Sequence, residues 1–366
     1  MDVLVVNAGS SSLKLSLLGP ADEVRAATEV AHWDTASLPP DLTNFLNGLS
    51  RVDAVGHRIV HGGPALHAPA LIDAQVRRAI EDATDLAPLH QPRALAGVDA
   101  VAQLLPGVPA VACFDTAFHA TMPAAAATYA LPAAWRERCG LRRYGFHGLS
   151  HAYATRRAAQ LLGAAPGELR LVTCHLGAGA SLAAVDRGRS VDTTMGFTPL
   201  EGLVMATRAG NTDPGLLLWL LRDGGLTVAD LADGLEKGSG LAGLAGTDDM
   251  REVIQRAAAA DPDAVLALDV YLHRLRQLIA GMAAALDGLD ALVFTGGVGE
   301  RAPTVRSRAA PACLGAALDE PANQAATADA VISAEGARVA TVVVTAREDA
   351  EIARQVRAVL KISSAV

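Results

Sequence analysis

Lysine is rare in this chain: only Lys14, Lys237 and Lys361 stand among its 31 basic residues. One of them closes the run Asn7-Ala8-Gly9-Ser10-Ser11-Ser12-Leu13-Lys14. Successive backbone N–H groups in a small-residue turn can converge on an anion, hydroxyls add donors and a lysine adds a point charge. The order GxxxxGK[ST] is missing and no helix follows at once, so this is not a Walker A loop; a plain hairpin turn rich in Ser and Gly has an equal claim. In Gly56-His57-Arg58-Ile59-Val60-His61-Gly62-Gly63, ionisable residues interrupt an apolar strand. His57 and His61 have no Cys or carboxylate nearby, which makes a zinc site a poor reading. Arg58, beside a Gly pair, is well placed to take a carboxylate or phosphate in two parallel hydrogen bonds.

Five more segments carry groups of this kind. Leu86-Ala87-Pro88-Leu89-His90-Gln91-Pro92 and Cys113-Phe114-Asp115-Thr116-Ala117-Phe118-His119 each set an ionisable residue at the edge of an apolar run, where desolvation tunes its pKa. A helix start and a capping Asp are the bland alternatives. Tyr144-Gly145-Phe146-His147-Gly148-Leu149-Ser150-His151 holds His147 between glycines, with Ser150 resembling an N-cap and His151 left a structural job. A Thr/Gly/Pro-rich stretch, DTTMGFTPLEG at 192–202 and TRAGNTDPG at 207–215, carries Arg208. Phe294-Thr295-Gly296-Gly297-Val298-Gly299-Glu300 follows a strand and permits close approach of a ligand, but as a bare GxGxxG-like signal it is weak.

The elements that must position these groups alternate between strand and helix. Apolar runs at 3–6 and 13–18 flank the first small-residue turn, and 171–175, LGAGAS (176–181) and 182–185 repeat the arrangement half a chain later. A duplicated architecture with one phosphate-type loop per half explains the recurrence; chance similarity is the alternative. Helical periodicity covers 70–83, 92–105, 151–162, 214–221, 249–258, 264–286 and 349–360. Strands are expected at 52–60, 108–114, 291–295 and 339–345, with a Gly loop at 296–299. This is an α/β pattern. At 366 residues, about 150 per domain suggests two domains or one large one. No Ser/Gly-rich linker parts the halves, so closely joined lobes are expected. The 51% hydrophobic content excludes global disorder, and with six Phe, four Tyr and three Trp the core must be mostly aliphatic. A net charge of −8 excludes a basic nucleic-acid footprint and a polybasic membrane patch. Cys113, Cys139, Cys174 and Cys313 form no CxxC and read as free thiols. The N-terminal apolar run lacks a basic flank, and the longest apolar stretch, 278–286, is far shorter than the roughly 20 residues of a membrane span. A soluble, cytoplasmic protein is expected.

Two Gly/Ser loops, a lysine, loop arginines and a histidine between glycines form a local cationic surplus in an acidic protein. That favours small anionic substrates, and phosphoryl transfer needs such a kit: its loose transition state spreads charge over three equatorial oxygens, so catalysis is mainly positioning and electrostatics. VNAGSSSLK, GHRIVHGG, LAPLHQP, FDTAFHATMP, YGFHGLSH, HLGAGAS, DTTMGFTPLEG, TRAGNTDPG and FTGGVGE follow one another as in the acetate kinase family, over residue 3 to about residue 360. The resemblance implies the two-lobed, duplicated α/β fold of actin, Hsp70 and the sugar kinases, with a ribonuclease H-like core in each lobe and ATP in the interlobe cleft. It implies an N-terminal lobe over 1–117, on which a C-terminal helix 349–366 packs back, and a nucleotide-binding lobe over 118–348. Reversible transfer of the ATP γ-phosphoryl group to acetate, Mg²⁺ (or Mn²⁺) as the metal and a homodimer are further implications.

Carried over by position, Asn7 and Glu348 match the metal-holding residues and Lys14 a nucleotide-phosphate contact. Arg58 and Arg208 match the arginines that grip carboxylate and phosphoryl, His147 the donor to the transferring oxygens, and His90 a supporting neighbour. Asp115 matches the family's essential carboxylate. Acetate is already ionised near neutral pH, so orienting an arginine or the metal is its expected role, not proton removal. His175, Leu176, Gly177, Ala178 and Gly179, then Asp249, Met250 and Arg251, then Gly296, Gly297, Val298, Gly299 and Glu300 match nucleotide contacts. Val60, Leu89, Phe146 and Pro199 match the apolar pocket for the acyl methyl. The chain departs from the family at Ala178 (Asn in HLGNGAS), at Arg301 (Asn after GIGE), at Asn211 (Asp in GDxDP) and in a shortened stretch between Leu18 and Val52. These departures bear on nucleotide affinity and base choice. Propionate or another short acid as acceptor, or a nonenzymatic ATP-binding sensor, are the alternatives.

Overall fold

The run VLVV puts apolar side chains on both faces of a strand, which demands a sheet covered on both sides. The computed structural model, which describes residues 1–9, 12–31, 33, 39–310 and 314–363, meets that demand. Ser10 and Ser11 of the first loop and Cys313 lie outside the described residues. The first sheet has the order β3-β2-β1-β4-β6-β5, built from β1 (Val3–Ala8), β2 (Ser12–Leu18), β3 (Val24–Ala31), β4 (Ala54–Ile59), β5 (Ala70–Leu71) and β6 (Ala110–Phe114). Leu4, Val6, Leu13 and Leu15 pack on one face against Trp33, Leu42 and Val101. Val3, Val5 and Leu18 pack on the other against Ile352 and Val356 of the helix Glu348–Ser363. Gly56 in β4 admits that helix: a Cβ there would stand 2.4 Å from Ile352 Cγ2.

The second sheet has the order β11-β12-β10-β7-β8-β9, from β7 (Arg170–Leu176), β8 (Ala180–Asp186), β9 (Arg189–Thr193), β10 (Ala291–Thr295), β11 (Ala330–Val331) and β12 (Ala340–Val343). Read from its β9 edge, it repeats the first sheet strand for strand. In each, an antiparallel three-strand meander is followed by two parallel neighbours and one antiparallel edge strand. The duplication suggested by two similar loops is thus a duplication of topology. The long helix Pro262–Ala284 covers part of this sheet, with Leu268, Tyr271, Leu272, Leu275 and Ile279 on its buried stripe.

The chain divides into two compact units. One comprises Met1–Ala120, Phe146–Tyr153 and Arg347–Val366; the other comprises Thr121–Gly145 and Ala154–Ala346. Among the described residues no helix is long and apolar enough to cross a membrane, and Cys113, Cys139 and Cys174 are free thiols.

Three local readings are corrected. Ala70 and Leu71 add an edge strand to β6, and the helix begins only at Ala74, where Asp73 accepts from Gln75 N and Val76 N. The 296–299 segment is the start of a short helix, Gly296–Arg301, not an open loop. Ser150 lies inside the helix Gly148–Leu161 instead of capping it.

His57, His61 and His119 are buried in the first unit, and burial pushes each imidazole down to about 4. The fold therefore prefers them neutral, while the unfolded chain takes up protons below about pH 6.5. Their contribution to stability is complete above that pH and is lost as the pH falls towards 4, at about 1.4 kcal/mol per unit of depression. Denaturation midpoints should drop steadily between pH 7 and 5, and His57→Leu should flatten the slope. A flat profile in the unaltered protein would show that the imidazoles are not held neutral.

Candidate active site

Strand register brings Asn7, Arg58 and Asp115 together. Asn7 and Arg58 are the last paired residues of parallel β1 and β4, and Asp115 follows β6 directly, its N–H bonded to Ile59 O at 3.0 Å. The carboxyl ends of adjacent parallel strands are where open α/β sheets bind ligands. Arg58 Nη2 and Nε donate to Asp115 Oδ2 at 2.7 and 3.1 Å, and Nη1 donates to Asn7 Oδ1 at 3.1 Å. Glu348, in the first turn of the C-terminal helix, brings a carboxylate oxygen to 3.9 Å from Nε. The second N–H of Nη1 and of Nη2 has no partner among the described residues.

Electrostatics hold this arrangement. Burial works against the Arg58 charge, but Asp115 and then Glu348 outweigh it and keep the guanidinium protonated beyond its ordinary range. Complete burial pushes the Asp115 carboxyl up, Arg58 pulls it back and Glu348 adds to the upward push. Both Asp115 oxygens accept from Arg58. Its geometry is that of an orienting carboxylate, with no oxygen turned to serve as a base.

His147 stands half-buried at φ +57°, in the left-handed region that non-glycine residues seldom occupy. Gly148 N donates to Asp115 O at 2.8 Å, and a Cβ on Gly148 would stand 2.2 Å from that oxygen. The glycine therefore lets the start of the helix Gly148–Leu161 seat on Asp115. Phe146 and Val60 are buried, and Phe146 meets the His61 ring edge-on at 5.6 Å. Leu89 differs from them in burial. It is 55% exposed, because the turn between the 3-10 helix Thr84–Leu86 and the helix Gln91–Leu104 directs it outward. His90, half-buried, precedes that helix and its carbonyl accepts from Ala94 N. Lys14 faces Asn7 across β1 and β2 but is exposed, 3.9 Å from the exposed Glu29 carboxylate. Among the described residues no three His, Cys, Asp or Glu side chains cluster as a metal site.

The second unit bears the remaining residues. His175 and Thr295 are the last pair of parallel β7 and β10, the positions that Asn7 and Arg58 hold in the first sheet. After Leu176, Gly177 N bonds Gly179 O at 3.1 Å, and Ala178 is exposed. Gly296 takes φ +79° where a Cβ would meet Leu176 O at 2.8 Å, so the two strand ends touch through backbone. Glu300 does not point outward: its Oε1 accepts from Gly296 N and Ala346 N at 3.0 and 2.9 Å. Asp249 caps the helix Met250–Ala258 and pairs with the exposed Arg251 at 2.6 Å, while Met250 is buried. Gly297 is exposed, and Val298 and Gly299 continue the short helix, with Gly299 buried.

Arg208 differs from the paired arginines. Its contacts are Pro199 O at 3.4 Å and Met205 Sδ at 3.9 Å, with no carboxylate in bonding reach among the described residues. Burial pulls its pKa down, and the more distant Glu236 pulls it back. Such a cation has donors to spare. The loop bearing Pro199 is held by residues that the sequence did not single out. Arg143 donates to the Thr193, Thr194 and Met195 carbonyls and pairs with Glu201 at 2.5 Å, and Tyr129 donates to Glu201 at 2.6 Å. Asn211 accepts from Gly202 N at 2.9 Å, a bond that an Asp would make equally well. Arg306, fully buried, donates to the Gly299 and Glu300 carbonyls and to Asn323, anchoring the helix Gly296–Arg301. No spacing marks these residues; only an arginine's burial distinguishes it from a solvated one.

A family model described as the acetokinase family matches residues 35–354. An acetate kinase of Deinococcus radiodurans is 46% identical over 387 residues, 97% of each chain. The crystal structure of Porphyromonas gingivalis acetate kinase aligns with a TM-score of 0.92 at 36% identity, over 98% of this chain and 99% of that one. A propionate kinase of Francisella tularensis aligns at 0.90 and 35%, over 97% and 99%. Similarity at this level runs through sequence and fold together, and the chain belongs to the acetokinase family.

Proposed function

We propose that the protein is an acetate kinase, which transfers the γ-phosphoryl group of ATP reversibly to acetate and yields acetyl phosphate and ADP. The observation that carries this reading is Arg58, set at the strand ends by buried Asp115 and by Asn7, with N–H groups left over. Those donors suit a carboxylate or an equatorial phosphoryl oxygen. An acetate oxygen forms the new bond to γ-phosphorus as the bond from phosphorus to the β,γ-bridging oxygen breaks and ADP departs. Acetate enters ionised, so no proton moves. Asp115 then works as the holder of Arg58, and His147 and Arg208 as donors to the transferring oxygens. Val60, Phe146 and Pro199 take the methyl, with His90 in support. The 175–179, 249–251 and 296–300 segments of the second unit are the proposed nucleotide contacts, with Lys14 reaching a phosphate.

Mg²⁺ binds characteristically through one or two carboxylates, water and substrate phosphates. Glu348 and Asn7 Oδ1 would hold it, where it would neutralise phosphate charge. The lobes of the proposed enzyme are the two units, and a cytoplasmic location follows from the family reading. A homodimer is supported by the helices Pro214–Arg222 and Val228–Lys237, neither of which buries a single residue. Leu216, Leu218, Trp219 and Val228 stand exposed there. Exposed apolar side chains of this kind suit a protein interface, which a second copy of the chain would supply. Because one methylene is worth only about 1–3 kcal/mol, propionate stays the nearest competing acceptor.

Acyl phosphate formed from MgATP and trapped with hydroxylamine should be greatest with acetate, ahead of propionate and butyrate; ATP binding without any acyl phosphate would replace the enzyme with a sensor. Arg208→Ala should cut kcat by about 10³-fold in a folded protein, and near-normal turnover would remove the arginine from the mechanism. Asp115→Asn removes the two-nitrogen partner of the half-buried Arg58 guanidinium, leaving Glu348 at 3.9 Å, and should cost about 3 kcal/mol of stability along with activity. In sedimentation, the wild-type protein should run as a dimer and the double variant Leu218→Asp, Trp219→Glu as a monomer; an unchanged dimer would place the interface elsewhere.

A further inference from the structure

We infer that His119, a residue without a role in the proposed chemistry, is a positioning residue for His147: its Nε2–H holds the Phe146 carbonyl and thereby fixes the peptide that sets the His147 backbone. This inference rests on the reading of His147 as a donor to the transferring phosphoryl group.

His119 lies in the 3-10 turn Ala117–Thr121, just after β6, and its side chain is wholly buried. Nε2 stands 3.0 Å from Phe146 O. A carbonyl oxygen only accepts, so Nε2 carries the proton and the neutral ring is held in one tautomer. The ring meets Phe118 and His151 edge-on, both at 5.6 Å, so its plane is set by packing from two sides. Burial keeps the imidazole neutral over the working range, which makes the donor constant.

The bonded carbonyl belongs to the peptide joining Phe146 to His147, and rotation of that peptide plane changes φ at His147. A non-glycine residue in the left-handed region costs about 1–3 kcal/mol and persists only where its surroundings over-determine it. Here the peptide before His147 is held by the His119 ring, and the peptide after it by Gly148 N–H on Asp115 O. Both clamps come from residues 115–119, the segment whose Asp115 carboxylate also orients Arg58. One short piece of chain thus sets the imidazole and the guanidinium in a common frame. A donor lost at 119 removes the hold on the Phe146 carbonyl and so loosens the His147 backbone, while the apolar contacts of Phe146 remain.

The test uses the full-length enzyme and three substitutions. His119→Phe keeps a flat ring without the donor, His119→Gln places an amide N–H near the Nε2 position, and His119→Asn places it near Nδ1. The inference expects His119→Phe and His119→Asn to lose 10- to 100-fold in kcat, with KM for acetate and ATP within twofold. His119→Gln should recover to within about threefold of wild type. The imidazole resonances of His147 should shift in the Phe and Asn variants and return in Gln. If Phe does not fold, the Gln–Asn contrast decides. Equal turnover and an unmoved His147 signal across all variants would reduce His119 to a core residue. A wild-type protein inactive on every acid would overturn the acetate kinase reading alone, since the His147 resonances still report whether His119 holds its backbone.

Discussion

The ion pair between Arg58 and Asp115 is the contact around which the first unit is arranged. A fully buried carboxylate is costly unless it is paired and hydrogen-bonded. Asp115 meets that requirement with two nitrogens of one guanidinium, and Arg58 completes its own set on Asn7. To bring these groups together, β1, β4 and β6 must lie parallel, in register and of nearly equal reach. Gly56 must be bare so that the C-terminal helix can close on β4 and bring Glu348 near Arg58. Gly148 must be bare so that His147 can follow from the Asp115 backbone. The cost of leaving any of these charges unpaired is what makes the arrangement specific.

The second unit shows the same sheet put to a different use. Its strand ends carry His175 and Thr295 where the first carries Asn7 and Arg58. Instead of a buried ion pair it has two small-residue turns that touch through backbone, Leu176 against Gly296, with Glu300 turned inward to accept N–H groups from both sides. Arg306 holds the far end of the short helix by its carbonyls, where a cation also complements the helix dipole. An accessible backbone rim suits a ligand recognised by shape and by its phosphates, and rigid support beneath suits a transfer that depends on position. Phosphoryl transfer to an acid that is already ionised asks the protein for little proton chemistry. The buried charged groups of the first unit accordingly orient one another, whereas Arg208 has no carboxylate partner among the described residues.

Much of this was legible in the residues alone. Alternation of apolar runs with helical periodicity gave the α/β class, and two similar loops pointed to a duplication that the matching strand orders make plain. The residues at positions 58, 115, 147 and 208 were open to structural readings one by one, and it was the order of the motifs carrying them that pointed to phosphoryl transfer. The misjudged places were local competitions: Ala70 and Leu71 read as helix until a sheet edge offered them bonds, and GGVG read as loop although its glycines open a helix. Leu89 was legible as apolar, but not as exposed.

What the sequence determined by itself was therefore the inventory: which charges exist, which segments are strands or helices, and which family they belong to. What only the tertiary structure decided was the pairing. Asp115 and Arg58 are 57 positions apart, His119 and Phe146 27 apart, and Glu300 and Ala346 46 apart. Whether a carboxylate caps a helix, holds an arginine or faces a ligand depends on which backbone and side-chain donors folding brings within 3 Å of it. Strand register and helix packing settle that, because a one-residue slip turns a side chain to the opposite face.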